Sequence, residues 1–264
     1  VKKEQGTFVW NVTKITDKTT GTGTALTTDQ LTFYTILDVP KDPWDPADTT
    51  DSVPVLSPNG YTYVGTTDNK TQPWVTILEM LTAAAWCNGM TTVQQVSQKI
   101  TEKANTRFNY DDWTAPRYWS SVSSSYSFFN LTSYHNQLTG AGGLAMANCI
   151  DMAWGVVSLS NLLGDNLVVK NIKTPSGVTF LTNKILPVGG TQTVATDWVT
   201  MGWGYHAVAV RNTAGNDYIY DACLMLDETT PVLPVNMLWA TYKNKLTASN
   251  VNLIANLLPI NTLR

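Results

Sequence analysis

Residues 205–211 (YHAVAVR) and 217–222 (DYIYDA) are two β-type runs on either side of a turn-forming cluster, NTAGN. Runs rich in Val, Ile and Tyr around such a cluster read as a β-hairpin, with Gly215 suited to the positive φ the turn needs. A hairpin constrains the chain strongly because it decides which side chains face each other. With the turn centred between Thr213 and Ala214, His206 falls directly opposite Asp221. Opposed side chains on one face have Cβ atoms about 4.5–5.5 Å apart, within reach of an imidazole–carboxylate hydrogen bond. A slip of one residue would send the two to opposite faces.

A helix is expected upstream. Ile150, Ala153, Trp154 and Val157 recur at the i, i+3, i+4, i+7 spacing. Asn148 is placed as its N-cap and Gly164 as its C′ residue. Cys149 then sits in the first turn, where the positive end of the helix dipole favours a thiolate. The chain holds three cysteines and two histidines, so few such constellations are available. Cys149, His206 and Asp221 form a candidate catalytic trio: a thiol nucleophile, the base that shuttles its proton, and the carboxylate that fixes the tautomer of the base. Taken singly, each is commoner as structure, since a cysteine at a helix start is usually a small core residue.

These segments resemble the core of the transglutaminase-like superfamily, which shares a papain-like cysteine-protease architecture. The resemblance rests on Asn148-Cys149-Ile150-Asp151 followed by Ala153, on His206-Ala207-Val208, and on Tyr220-Asp221-Ala222. Upstream, residues 100–112 (ITEKANTRFNYDD) resemble the helix and aromatic-Asp segment that precede the family's cysteine. The likeness runs over about residues 73–246. Asn148 stands where the family often has a glycine or another small residue. The resemblance implies an α+β fold with a papain-like, transglutaminase-like core. In it the nucleophile Cys lies at a helix N-terminus packed on an antiparallel β-sheet. It implies cleavage or transfer at a peptide or protein amide, with no cofactor. A family-type oxyanion donor would come from Gln137, Trp113 or Trp119. The family also contains catalytically dead relatives, so a noncatalytic cell-surface binding module of the same fold stays open beside the enzyme.

Residues 71–264 are expected to form this domain and residues 1–70 a β-rich extension or small subdomain that covers or frames the cleft. The β-type runs TFVWNVTKI and LTFYTILDV lie in the extension, followed by a Pro- and Asp-rich loop over residues 40–58. Pro73 is placed to open a helix with Trp74, Ile77, Leu78 and Leu81 on one face. Thr92 and Gln95 form a possible capping box for the next helix, with Val93, Val96 and Ile100 inside it. Three strand-like pieces follow in residues 165–200, and a short helix is expected after Pro234.

Charged residues make up only 14% of the chain, against about 25% in typical domains. With a net charge of −3, this gives no reason to expect a nucleic-acid partner. No apolar run reaches the roughly 18 residues that span a bilayer, so no membrane insertion is expected. Low charge and abundant Thr and Asn suggest a secreted or extracytoplasmic protein. Asn11, Asn69 and Asn130 begin glycosylation sequons. Cys87 and Cys223 are either a disulfide or two buried thiols. Two histidines and no C-x-x-C give no zinc cluster by spacing. Asp42, Asp45, Asp48 and Asp51 lack an EF-hand pattern and read as a solvated loop. Residues 140–145 (GAGGLA) match a dinucleotide-binding turn, but the polar stretch before them is not a buried strand. They read instead as a flexible approach to Cys149.

Overall fold

The computed structural model describes residues 1–8, 29–38, 40–41, 43–44, 55–57, 60–62, 75–111, 115–123, 126–140, 145–188, 197–258 and 262–263. The protein is mixed α+β, with five helices and several sheets among these residues. The helices are α1 (Val75–Leu81), α2 (Val93–Arg107), α3 (Leu131–Leu138), α4 (Cys149–Leu162) and α5 (Trp239–Leu246).

The main sheet is antiparallel throughout. Its strands run in the order Met237–Leu238, Asn216–Tyr220, His206–Thr213, Leu167–Lys173, Ile254–Leu257. Helix α4 lies across the His206–Thr213 and Leu167–Lys173 strands and packs on α2 with its other side. Every residue of α4 is buried as a result. The i, i+3, i+4, i+7 pattern shows one apolar face, but a helix held between a sheet and another helix must be compatible with burial all round. Its start is capped as expected. The Asn148 side chain accepts the N–H groups of Ile150 and Asp151, and Asp151 reaches back to the N–H of Asn148. Its end is closed by Gly164 at φ +98°.

The hairpin register differs from expectation by two residues. Ala209 pairs with Tyr220 and Thr213 with Asn216, so the turn is Ala214-Gly215. Both turn residues have positive φ, 49° and 80°, as a tight I′-type turn requires. Continued past the ladder, this register sets Asp221 two places from the residue opposite His206. A shift of two keeps both side chains on one face, and diagonal neighbours remain within side-chain reach.

A parallel pair, Phe108–Tyr110 with Ala145–Ala147, delivers the chain into Asn148 and Cys149. It is fixed by Asp111 N–H to Ala147 O at 3.0 Å and Tyr110 N–H to Val188 O at 2.7 Å. Helix α2 starts at Thr92, whose hydroxyl accepts the Gln95 N–H; Gln95 in turn accepts the N–H of Thr91 rather than that of Thr92. Val96 and Ile100 are buried and Val93 partly so. In α1, Ile77 and Leu81 are buried, while Pro73 and Trp74 lie outside the described residues.

The described parts of residues 1–70 are β-rich: Lys2–Phe8 pairs with Asp29–Thr35, and Val55–Ser57 with Gly60–Thr62. Their contacts fall on α1, on the Gly89-Met90 segment that follows it, where Val1 exchanges main-chain hydrogen bonds, and on the far end of α4. Lys3 and Tyr34 bond Glu79, Leu37 N–H donates to Leu163 O, and the Trp44 indole donates to Ser158 O. Ser158 lies about 13 Å along the helix from Cys149 at 1.5 Å per residue. These contacts brace α4 from the end opposite the cysteine. Asp42, Asp45, Asp48, Asp51, Asn11, Asn69 and residues 141–144 lie outside the described residues. Asn130 caps α3 through its side chain, which accepts the Ser133 N–H at 2.9 Å. No helix of the described residues is long and apolar enough to cross a membrane.

Candidate active site

The sheet and α4 bring Cys149, His206 and Asp221 together. The parallel pair and the capped helix start set Cys149, which is 5% exposed. His206 opens its strand and is fully buried. Its Nε2 meets Asp221 Oδ2 at 2.8 Å, which leaves Nδ1 for the thiol. The Cys149 thiol lies beside the imidazole, close enough to contribute to raising its pKa. Nδ1 itself has no hydrogen-bond partner among the described residues. Contacts of this kind are often loose before substrate binds.

The electrostatics favour an imidazolium. Burial on its own would lower the His206 pKa. The Asp221 charge and hydrogen bond outweigh it, with smaller contributions from Cys149, and the value is pushed up to about 10. The Trp203 ring stacks on the imidazole, with centroids 4.5 Å apart and planes 16° from parallel, and fixes its orientation.

Asp221 is held from three sides. Oδ2 also accepts the Tyr242 hydroxyl at 2.7 Å, and Oδ1 accepts the Cys223 N–H at 2.8 Å. Its own N–H donates to Pro234 O at 2.8 Å. Tyr242, fully buried on α5, has no signal in the sequence, because nothing local ties residue 242 to residue 221. Asp151 was singled out only as the acidic residue of the family-like run around Cys149. It does more: its carboxylate accepts the main-chain N–H groups of Arg117, Tyr118, Trp119 and Asn148, at 2.8–3.3 Å. It thereby pins residues 117–119 against the turn that carries Cys149. Burial raises its pKa, and the four donors partly offset that.

The proposed oxyanion donors fare differently. Trp119 stands in the segment held by Asp151, and its indole Nε1 is buried with no partner. Gln137 is half-buried near the end of α3; its main-chain carbonyl accepts Arg107 Nε at 2.6 Å, and nothing ties its side chain to the trio. Trp113 lies outside the described residues.

Cys87, Cys149 and Cys223 are unpaired and buried. Burial pushes the Cys87 thiol up to about 12 and raises that of Cys223 well above its ordinary value, with Asp221 and Cys149 adding to the latter. His206, Asp221 and Cys223 offer N, O and S atoms within 4.8 Å of one another, a donor set of the kind a thiophilic cation takes. Here Asp221 already receives three hydrogen bonds and the Cys223 thiol favours its protonated form, so hydrogen bonds are what join the cluster. A surface cleft of about 430 Å³ lies near the C-terminal ends of α2 and α3, lined by Trp86, Lys103, Thr106, Arg107, Leu138 and Thr139. It shares no residue with the trio and carries no reactive group, so the chemistry is sought at Cys149. No protein-family model matches the chain, and no curated protein matches it.

Proposed function

We propose that the protein is a cysteine-dependent acyl-transfer enzyme acting on peptide or protein amides, built on a papain-like, transglutaminase-like core. One observation carries this reading: a thiol in the first turn of a capped helix lies beside a buried imidazole whose other nitrogen is held by a carboxylate.

The steps follow from these positions. With His206 already protonated, Cys149 reacts as the thiolate of an ion pair, and its sulfur attacks the amide carbon. A C–S bond forms while the carbonyl electron pair moves to oxygen. The main-chain N–H of Cys149 and the unpartnered indole N–H of Trp119 are the candidate donors to that oxygen. As the carbonyl re-forms, the C–N bond breaks and His206 gives its proton to the leaving amine, leaving a thioester on Cys149. Water or a second amine then attacks the thioester, surrendering a proton to His206, and the C–S bond breaks to return Cys149. Asp221 keeps its charge throughout and stabilises the imidazolium. The low charge content fits an extracytoplasmic setting for this chemistry.

A noncatalytic module of the same fold has one observation in its favour: Cys149 is nearly covered, at 5% exposure. Release of ammonia or amine from a library of peptide carboxamides separates the two. The enzyme reading expects release by the wild type and none by Cys149→Ala, which deletes only a sulfur. Equal release by both, or none by either, contradicts it.

A further inference from the structure

Nearly every described glycine whose surroundings are defined has a local reason to be glycine. Five have a left-handed φ. A Cβ on Gly155 would lie 2.1 Å from the Tyr134 ring, and one on Gly202 would lie 3.2 Å from the Thr179 methyl. Gly204 has neither reason. Its φ lies outside the left-handed region, and a Cβ there would meet nothing within 4 Å. Alanine would fit, and would restrict the unfolded chain more than glycine does, so folding does not account for the bare backbone.

Its surroundings do. Gly204 is exposed and stands two residues before His206. The next residue, Tyr205, is 42% exposed; its phenol pKa is raised by burial first, then by the charges of Cys149 and Asp151. On the other side, Phe180–Leu181 pairs with Gly202–Trp203 and presents Leu181 at 64% exposure. Neither residues 175–182 nor residues 198–205 contain a charged side chain. A strip of bare main chain with uncharged, apolar flanks thus runs up to the imidazole. Glycine in such a place lets another backbone come close, and an extended chain lays alternate side chains to either side.

We propose that residues 202–205 form the edge on which the acyl donor binds, as an extended peptide segment with an apolar side chain against Leu181 and Tyr205. The proposal rests on Cys149 being the nucleophile. Gly204 and Tyr205 are positioning residues in this scheme: they hold the peptide so that its carbonyl reaches the sulfur.

Two thiol probes test it: iodoacetamide, which needs no edge, and the acyloxymethyl ketone of an N-acetylated Val-Leu-Ala tripeptide. Gly204→Val should react with iodoacetamide at Cys149 at the wild-type rate and lose about tenfold or more in its rate with the peptidyl probe. Gly204→Ala should fall between the two and melt no lower than the wild type, which guards against a folding defect in the valine variant. Replacing the probe's leucine by aspartate should slow the wild type. Wild-type peptidyl rates in Gly204→Val, or equal losses with both probes, overturn the proposal alone. A wild-type Cys149 that reacts with neither probe overturns the nucleophile assignment, and this proposal with it.

Discussion

Replacing Asp221 by Asn removes the charge that decides the protonation of His206. Burial pulls the imidazole pKa down, and the carboxylate at 2.8 Å reverses this and holds the value at about 10. Asparagine keeps the shape and can still accept from Tyr242, but it brings no charge. With burial then opposed only by the smaller contributions of Cys149, His206 in Asp221→Asn should titrate far below 10, toward its unperturbed value of about 6.5, and be largely neutral at pH 8. Stability follows the same proton. The folded pKa lies above the unfolded one, so the wild type has this contribution in full below about pH 6.5 and loses it as pH rises through about 10. At 1.36 kcal/mol per unit, the swing is on the order of 5 kcal/mol. Urea unfolding of the wild type should weaken across that window, while Asp221→Asn should start weaker and lack the decline. The imidazole resonances report the titration directly. The chain has two histidines, and His135, whose pKa is lowered by burial, serves as internal reference. On the catalytic reading the variant also loses turnover more than substrate affinity, by up to about 10⁴. A wild-type His206 that titrates near 6.5, or an Asp221→Asn variant that still titrates near 10, refutes the reasoning.

Asp151→Asn should turn an NH₂ group toward main-chain donors that now bond a carboxylate oxygen. Each oxygen receives two such donors, one buried and one partly buried, so one of each loses its partner, at about 1–3 kcal/mol for the buried one and less for the other. Guanidinium unfolding should show a loss of about 1–4 kcal/mol, and no measurable loss would contradict the anchoring role. Tyr242→Phe removes a buried donor to Asp221 Oδ2. It should cost about 1.5–3 kcal/mol and raise the His206 pKa further, because the carboxylate charge is then shared with fewer donors. An unchanged or lower His206 titration would show that Tyr242 is only packing.

The site was legible where its determinants are local. The start of α4 follows from Asn148 as N-cap before an apolar run, and its end from Gly164. The two strands of the hairpin follow from their β-branched and aromatic content. The register did not, because NTAGN admits more than one turn. The turn the chain uses puts Ala214 at positive φ, a conformation alanine does not advertise. The pairing of His206 with Asp221 survived because the error was two residues rather than one. What could not be read depends on chain distant in sequence. Tyr242 reaches Asp221 from α5, Trp203 covers the imidazole from the strand before it, and the all-round burial of α4 reflects α2 and the sheet rather than its own pattern. The extension was legible as β-rich, but its attachment at the far end of α4 rests on single contacts such as Trp44 to Ser158.

Competitive labelling decides whether Cys149 is the reactive thiol. The folded protein is treated at pH 7 with limiting iodoacetamide, and the three cysteines are compared by peptide mass spectrometry. Cys87 is fully buried with its pKa pushed up to about 12, and Cys223 is buried with its pKa raised well above the ordinary thiol value. Cys149 has the helix start and the His206 imidazolium beside it. Cys149 should be labelled about a hundredfold faster than either of the others, and the advantage should disappear in His206→Ala. Labelling of Cys149 no faster than Cys87 or Cys223 would contradict that assignment.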